Sequence, residues 1–367
     1  MNVICRLAVC LPALLLVQPS SPAVLVTRLE GRCVRCARAY QLGRFQFVTS
    51  VEGWATASQI IVSGGHVSQY SGVLHTSNSG KTWTPESRVE TYGVDVEPAF
   101  WFVNSREGWI GWPTTSEPFD HLRRTMNGGR RWIDLSGTLQ GAFVVHLRFF
   151  DSNLGYSAVS TLNGPQLGLT RDGGRTWLFR TDTRLSALRY PEVLFFVNAS
   201  VGWIGGSTVD GSDVRPRLVG TTDGGATWRE ASFPPSLKGN PRDLFFLDPD
   251  RGWLVLWNTD GPAFLRTTDG GHTWIEESNW IIPGHGSLPY AVRYLSASVG
   301  VLLIGKAIAD GSGPTGARDD SEALVTRDTG RTWSRYDLPA AVQSCEVVVD
   351  EVWCSSGMDL LKIRVHP

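Results

Sequence analysis

Residues 170–177 read Thr170-Arg171-Asp172-Gly173-Gly174-Arg175-Thr176-Trp177, and the same octapeptide pattern returns five more times, at 76–83, 125–132, 221–228, 267–274 and 326–333. The closing tryptophans, Trp83, Trp132, Trp177, Trp228, Trp274 and Trp333, stand 49, 45, 51, 46 and 59 residues apart. A period near 50 residues marks a propeller or solenoid built from one repeated unit. A second pattern precedes each copy: an aromatic residue, then six positions later a Gly followed by a large apolar residue. The pairs are Phe47 with Gly53, Phe102 with Gly108, Phe149 with Gly155, Phe196 with Gly202, Phe246 with Gly252 and Tyr294 with Gly300. Each unit therefore reads as strand, turn, strand, loop, strand, tight turn at the octapeptide, and strand. Four antiparallel strands make one propeller blade.

Six such units occupy 45–337. The remainder, 345–365, supplies three more strands and stops without an octapeptide, and a candidate fourth lies at the other end, 24–29 (Val-Leu-Val-Thr-Arg-Leu). The expected fold is all-β: a seven-bladed β-propeller with four-stranded antiparallel blades, closed by an N-terminal strand in the last blade. Closure removes the open sheet edges that a linear array would leave. Residues 24–367 then form a single domain, although 367 residues would ordinarily suggest two or three. The composition fits, since 42% hydrophobic and 19% charged residues exclude a disordered polyelectrolyte.

The first 23 residues carry one Arg, an apolar run over 7–17 and small residues before Ala23, which is the pattern of a signal peptide. That run is too short to span a bilayer, which takes about 20 residues. The mature chain is expected to be secreted or periplasmic, with no membrane span and four cysteines left. Cys345 and Cys354 lie symmetrically about Val349-Asp350, so a two-residue hairpin turn would set them opposite each other. Cys33 and Cys36 have CxxC spacing and are read as a second structural disulfide, with no second CxxC or histidine cluster to suggest a metal site. A net charge of −1 speaks against nucleic acid as a partner.

The octapeptide resembles the Asp-box, or BNR, repeat of sialidase-type β-propellers, and the chain is most similar to the photosystem II stability and assembly factor family of propellers. That resemblance implies a non-catalytic assembly or binding role towards a protein partner, and an arginine-rich patch on the propeller. It is carried by Asn78, Asn127, Asp172, Asp223, Asp269 and Asp328 in the box acceptor position. Asn in two copies keeps a hydrogen-bond acceptor and loses the charge, so the position is read as structural. The box tryptophans are likewise read as blade-to-blade packing.

In a four-stranded meander the box turns and the Gly-aromatic turns share one face of the ring, and the loops of variable length share the other. Variable loops on a rigid scaffold are where binding sites usually sit. On that face the strongest charge feature is Arg180, Arg184, Arg189, Arg215 and Arg217, with Lys238 and Arg242, interleaved with Asp182, Glu192, Asp210, Asp213, Glu230 and Asp243. The five arginines 180, 184, 189, 215 and 217 are the candidate binding residues. Trp101, Trp112, Trp257 and Trp280 are the tryptophans left over from blade positions and free to face a ligand.

The alternative function is a sialidase-like or other glycan-active hydrolase or lectin. Nothing before Thr76 matches the Arg-Ile-Pro-like motif of sialidases, and Tyr156 fills the slot that other units give to Trp. Loop acids exist (Asp95, Glu97, Asp210, Asp213, Asp319, Asp320), without a spacing that pairs any two. The stretches 208–213 and 310–320 lack an EF-hand spacing, and the seven histidines are scattered, so neither a metal nor another cofactor is expected. The chain is expected to be a monomer.

Overall fold

The computed structural model describes residues 24–34, 41–63, 66–90, 98–113, 120–180, 182–257, 262–277, 287–306 and 321–366. The leader 1–23, Cys36, Asp95, Glu97, Trp280 and the stretch 310–320 lie outside them. The strands form seven sheets, one per blade, at 41–90, 99–134, 143–180, 193–230, 240–277, 287–337 and 345–365. Within each blade the strands, A to D in chain order, lie side by side as an antiparallel meander. Strand A is innermost and lines the axis.

The ring closes as the sequence implies. Val24–Leu29 pairs antiparallel with Asp359–Val365 and becomes strand D of blade 7, while Cys345 faces Cys354 across the inner hairpin and is bonded to it. One feature was not anticipated: Arg32–Cys33 continues past blade 7 and pairs in parallel with Thr82–Trp83 at the edge of blade 1. Ser232, just after strand D of blade 4, makes the same parallel bridge to Thr273 of blade 5. The N-terminal segment thus behaves as an ordinary blade-to-blade connection, although no peptide bond joins it to blade 7. Cys33 is disulfide-bonded.

The seams explain the tryptophans. In blades 1 to 5 the strand-B aromatic lies flat on the strand-A aromatic of the next blade: Trp54 on Phe102 at 3.9 Å, Trp109 on Phe149 at 3.6 Å, Tyr156 on Phe196 at 4.4 Å, Trp203 on Phe246 at 3.4 Å and Trp253 on Tyr294 at 3.5 Å. At the 7–1 seam Trp353 meets Phe47 at a steeper 66°. The indoles of Trp54, Trp109 and Trp203 also donate to box carbonyls of the following blade, those of Gly128, Gly173 and Gly270. The box tryptophans pack between blades as expected, Trp83 clustering with Trp353, Trp177 with Trp109, Trp228 with Tyr156 and Trp274 with Trp203 of the preceding blade, while Trp333 meets Phe264 of blade 5 edge-on. Trp83, Trp132, Trp177 and Trp274 pack edge-on against the strand-A aromatic of their own blade and back up the ring that the neighbour stacks on. The Gly of the Gly-aromatic turn follows from the same ring, since a Cβ on Gly155 would lie 2.3 Å from Cδ1 of Phe149.

The boxes are turns held by side chains. In blade 4 the Thr221 hydroxyl donates to Asp223 Oδ1 and accepts from the Gly225 N–H, and the Asp223 carboxylate accepts from the N–H and hydroxyl of Thr227. Gly225 has φ +80°, a conformation that suits Gly. Asn78 reproduces the pattern, its Oδ1 accepting from Thr82 N–H and its Nδ2 donating to the Thr82 hydroxyl. Bonds from Thr227 and Thr332 hold the Asp223 and Asp328 carboxyls down at about 2. Asp269 is held there too, by Thr273, against the upward pull of partial burial.

A carboxyl depressed below its ordinary value of about 3.9 stabilises the fold above that pH and loses the contribution as pH falls towards the folded value. The urea midpoint should therefore drop between pH 4 and 2. The triple change Asp223→Asn, Asp269→Asn and Asp328→Asn should flatten that drop and leave pH 7 stability little altered. An unchanged acid slope in the triple variant would contradict the box assignment.

Candidate binding site on the propeller axis

Side chains alternate along a strand, so one strand-A position per blade faces the axis at the level of the strand-B aromatic. These positions are Gln46, Trp101, Arg148, Phe195, Phe245, Arg293 and Glu346, paired across their hairpins with Trp54, Trp109, Tyr156, Trp203, Trp253, Val301 and Trp353. The ring borders an axial cavity of about 900 Å³. Strand A is bulged in blades 1, 3, 5 and 6, between Leu42 and Phe45, Val144 and His146, Pro241 and Asp243, and Pro289 and Ala291. Bulges re-aim side chains. Arg44 and Arg242, which fall in two of them, join the cavity wall.

Three blades are tied together across the cavity by charge. Arg293 of blade 6 donates to Asp243 of blade 5 at 2.6 Å, lies 3.5 Å from Glu346 of blade 7, and donates through Nε to the Cys345 carbonyl at 2.8 Å. This triad stands next to the 6–7 seam, where Val301 replaces the stacking tryptophan and the buried core includes the two cysteines. Arg148 of blade 3 stacks on Trp101 at 4.0 Å and donates to the Phe196 carbonyl at 3.2 Å. Burial lowers its pKa to about 10, so it stays charged at neutral pH. His146 is pushed down to about 3 by burial and then by Arg44, and is neutral. Its Nε2 meets the Pro191 and Glu192 carbonyls, both at 3.1 Å. Burial pushes the Glu192 carboxyl up to about 7, opposed by the Ser207 hydroxyl and Arg189.

None of the five arginines singled out from sequence lines this cavity. They lie on the outer parts of blades 3 and 4 and mostly engage neighbours. Arg184 pairs with Asp182 at 3.1 Å, in the one helix among the described residues, Thr183–Ser186. Arg215 pairs with Asp213 at 3.3 Å and donates to the Pro235 carbonyl, while Arg217 pairs with Glu230 at 2.9 Å. Lys238 also binds Asp213. Arg180 stands at the edge of blade 3 and Arg189 is exposed. Of the spare tryptophans, Trp101 faces the cavity, Trp257 is half-buried, and Trp112 is core, stacked on His121 and 4% exposed. Tyr156 is core as expected, its hydroxyl spent on the Ala199 carbonyl.

Sequence reasoning passed over Arg44, Arg148 and Arg293. Aligning the position just before each strand-A aromatic would have exposed Arg148 and Arg293 as charges among Gln46, Trp101, Phe195 and Phe245.

Among the described residues no helix is long and apolar enough to cross a membrane. The family model for the photosynthesis system II assembly factor YCF48 matches residues 132–288, which span blades 3 to 5. Among solved structures, YCF48 bound to D1 peptide is 16% identical, with a TM-score of 0.61 over 95% of this chain and 98% of that one. YCF48 from Cyanidioschyzon merolae is 15% identical, with a TM-score of 0.58 over 92% and 98%. The GH74 xyloglucanase from Xanthomonas campestris is 14% identical, with a TM-score of 0.54 over 87% of this chain and 66% of the enzyme. No curated protein matches the chain.

Proposed function

We propose that this chain, an Asp-box propeller most like those of the photosystem II assembly factors, is a non-catalytic module that recognises a protein partner through its variable-loop face. What carries the reading is a division of labour. The boxes are consumed by turn bonds and the seam aromatics by stacking, whereas the charged side chains gather on the axis and in the loops. A propeller that shares the fold over 95% of this chain has been solved with a D1 peptide bound. In the same reading the chain works outside the cytoplasm after loss of residues 1–23, supported by the apolar run at 7–17. Amino-terminal sequencing of the mature protein should start at or near Val24.

Two faces can be told apart by photocrosslinking in the native host. Leu162 is exposed in the B–C turn of blade 3 and Val209 at the end of strand B beside the B–C turn of blade 4, both on the variable-loop face, whereas Val51 and Val349 are exposed in A–B turns on the box face. A crosslinker at Leu162 or Val209 should trap a discrete protein, and one at Val51 or Val349 should not. The reverse pattern would overturn the assignment of the face.

Glycoside hydrolysis needs one carboxyl that gives a proton and a second that attacks or activates water. Arg293 engages both Asp243 and Glu346, leaving Glu192 as the cavity carboxyl poised near neutrality. Fluorogenic sialosides and aryl glycosides should not be turned over. Turnover abolished by Glu192→Gln would reverse this reading.

A further inference from the structure

We propose that the axial cavity is a carboxylate-binding site that receives an acidic stretch of the partner's chain, with Arg148 as the group the carboxylate meets. The inference rests on the protein-binding reading above and adds the chemistry of what is bound.

Charge on the cavity wall is the first support. Arg44, Arg148, Arg242 and Arg293 contribute four positive charges, against Asp243, Glu346 and Glu192. His146 stays neutral and adds none. Trp101, Phe195 and Phe245 line the cavity beside these charges, and charges set against low-dielectric walls are screened less than in bulk water.

The state of Arg148 is the second. Arg293 is saturated: Nε is on the Cys345 carbonyl, Nη1 on Asp243 and the Val292 carbonyl, and Nη2 beside Glu346. Arg148 makes one hydrogen bond, to the Phe196 carbonyl, and its other contacts are the ring faces of Trp101 at 4.0 Å and Phe150 at 5.4 Å. It forms no ion pair with a described residue, and its Nε has no hydrogen-bond partner. Glu346 acts on it only from beyond ion-pair distance, and a buried charge that is incompletely paired is costly. Stacking fixes the guanidinium plane, so a carboxylate that arrives finds a pre-oriented fork. A volume of about 900 Å³ is at the upper end of ordinary ligand pockets, roughly 300 to 1,000 Å³, and holds several residues of extended chain.

The test uses the whole protein and fluorescence polarisation. The probe is a labelled Gly/Ser peptide with a central Asp-Glu-Asp-Glu block, compared with the same peptide carrying Asn-Gln-Asn-Gln. The acidic peptide should bind at least about tenfold more tightly than its amide isostere, and less tightly as salt is raised. Arg148→Gln should remove roughly that tenfold preference, and Arg148→Lys, which keeps the charge and loses the fork, should restore part of it. Equal binding of the two peptides would overturn the proposal. So would an Arg148→Gln protein with unchanged melting and an undiminished preference, or displacement by inorganic phosphate at concentrations matching the peptide. If Arg148→Gln fails to fold, the Arg148→Lys protein and the peptide pair still decide. Photocrosslinking from Leu162 and Val209 in Arg148→Gln separates the two levels: a persisting partner with no acid preference sinks this inference and leaves the binding reading standing.

Discussion

Replacing Trp109 by Ala should destabilise the propeller by about 3–5 kcal/mol, among the largest effects a single substitution can have. Trp109 has no exposed surface, lies 3.6 Å from Phe149 with the rings parallel to within 1°, and donates through Nε1 to the Gly173 carbonyl at 2.9 Å. The substitution removes three things at one seam: the buried indole, the stack and the bond that ties blade 2 to the box of blade 3. Arg124, which packs over the indole at 5.0 Å and is itself buried, would lose its apolar support. A Phe at the same site keeps most of the stack and loses the bond, so it should cost far less, on the order of 1–2 kcal/mol. Thermal melting checks both, with an expected drop of roughly 10 °C for Ala in a domain of this size. The exposed Leu162 serves as control and should shift by less than about 0.5 kcal/mol. Equal melting of the Ala and Phe proteins would show that the stack does not hold the seam.

A chain lacking residues 24–34 should melt at least about 10 °C lower and associate into oligomers. The lost segment supplies strand D of blade 7 and the parallel bridge to blade 1, together with the bond from Arg28 Nε to Asp359 at 2.7 Å and that from the Gly31 N–H to Asp359 at 2.9 Å. Its removal bares the edge of Asp359–Val365, a row of unpaired backbone groups that invites pairing with another chain. Closure of a ring is cooperative in a way that an open stack is not, because both faces of blade 7 depend on it. A synthetic peptide spanning 24–34, added in trans, should restore the melting temperature and the monomer. Full stability of the truncated protein would show that blades 1 and 7 hold together without the N-terminal strand.

How much could be read from residues alone follows from the range of the interactions. Boxes and Gly-aromatic turns are local: Thr221, Asp223, Gly225 and Thr227 bond to one another within seven positions, so their spacing declares them. Blade count and closure follow from counting those local units. The Cys345–Cys354 pairing was legible for the same reason, since a two-residue turn fixes its register. The axial site was not, because its members are separated by blades and meet only when the ring closes. Asp243, Arg293 and Glu346 are neighbours in space and some fifty residues apart in sequence. Four bulges in strand A further obscure which side chains point inward. The charge cluster of 180–217 illustrates the converse: nearness in sequence placed those arginines beside their own acids, Asp182, Asp213 and Glu230, rather than around a common point.

The partner of the first strand has a consequence for how the chain is made. Arg28 and Asp359 are 331 positions apart, so during synthesis strand 24–29 emerges early and waits for nearly the whole chain before its docking site exists. At about 5–20 residues per second that delay is roughly 15–65 s. Blades 1 to 6 can each form their meander as they appear, but none of them can offer the first strand its proper place. Strand 24–29 therefore has no partner until strand 359–365 has been made, and the ring can close only after the six blades between them have been synthesised.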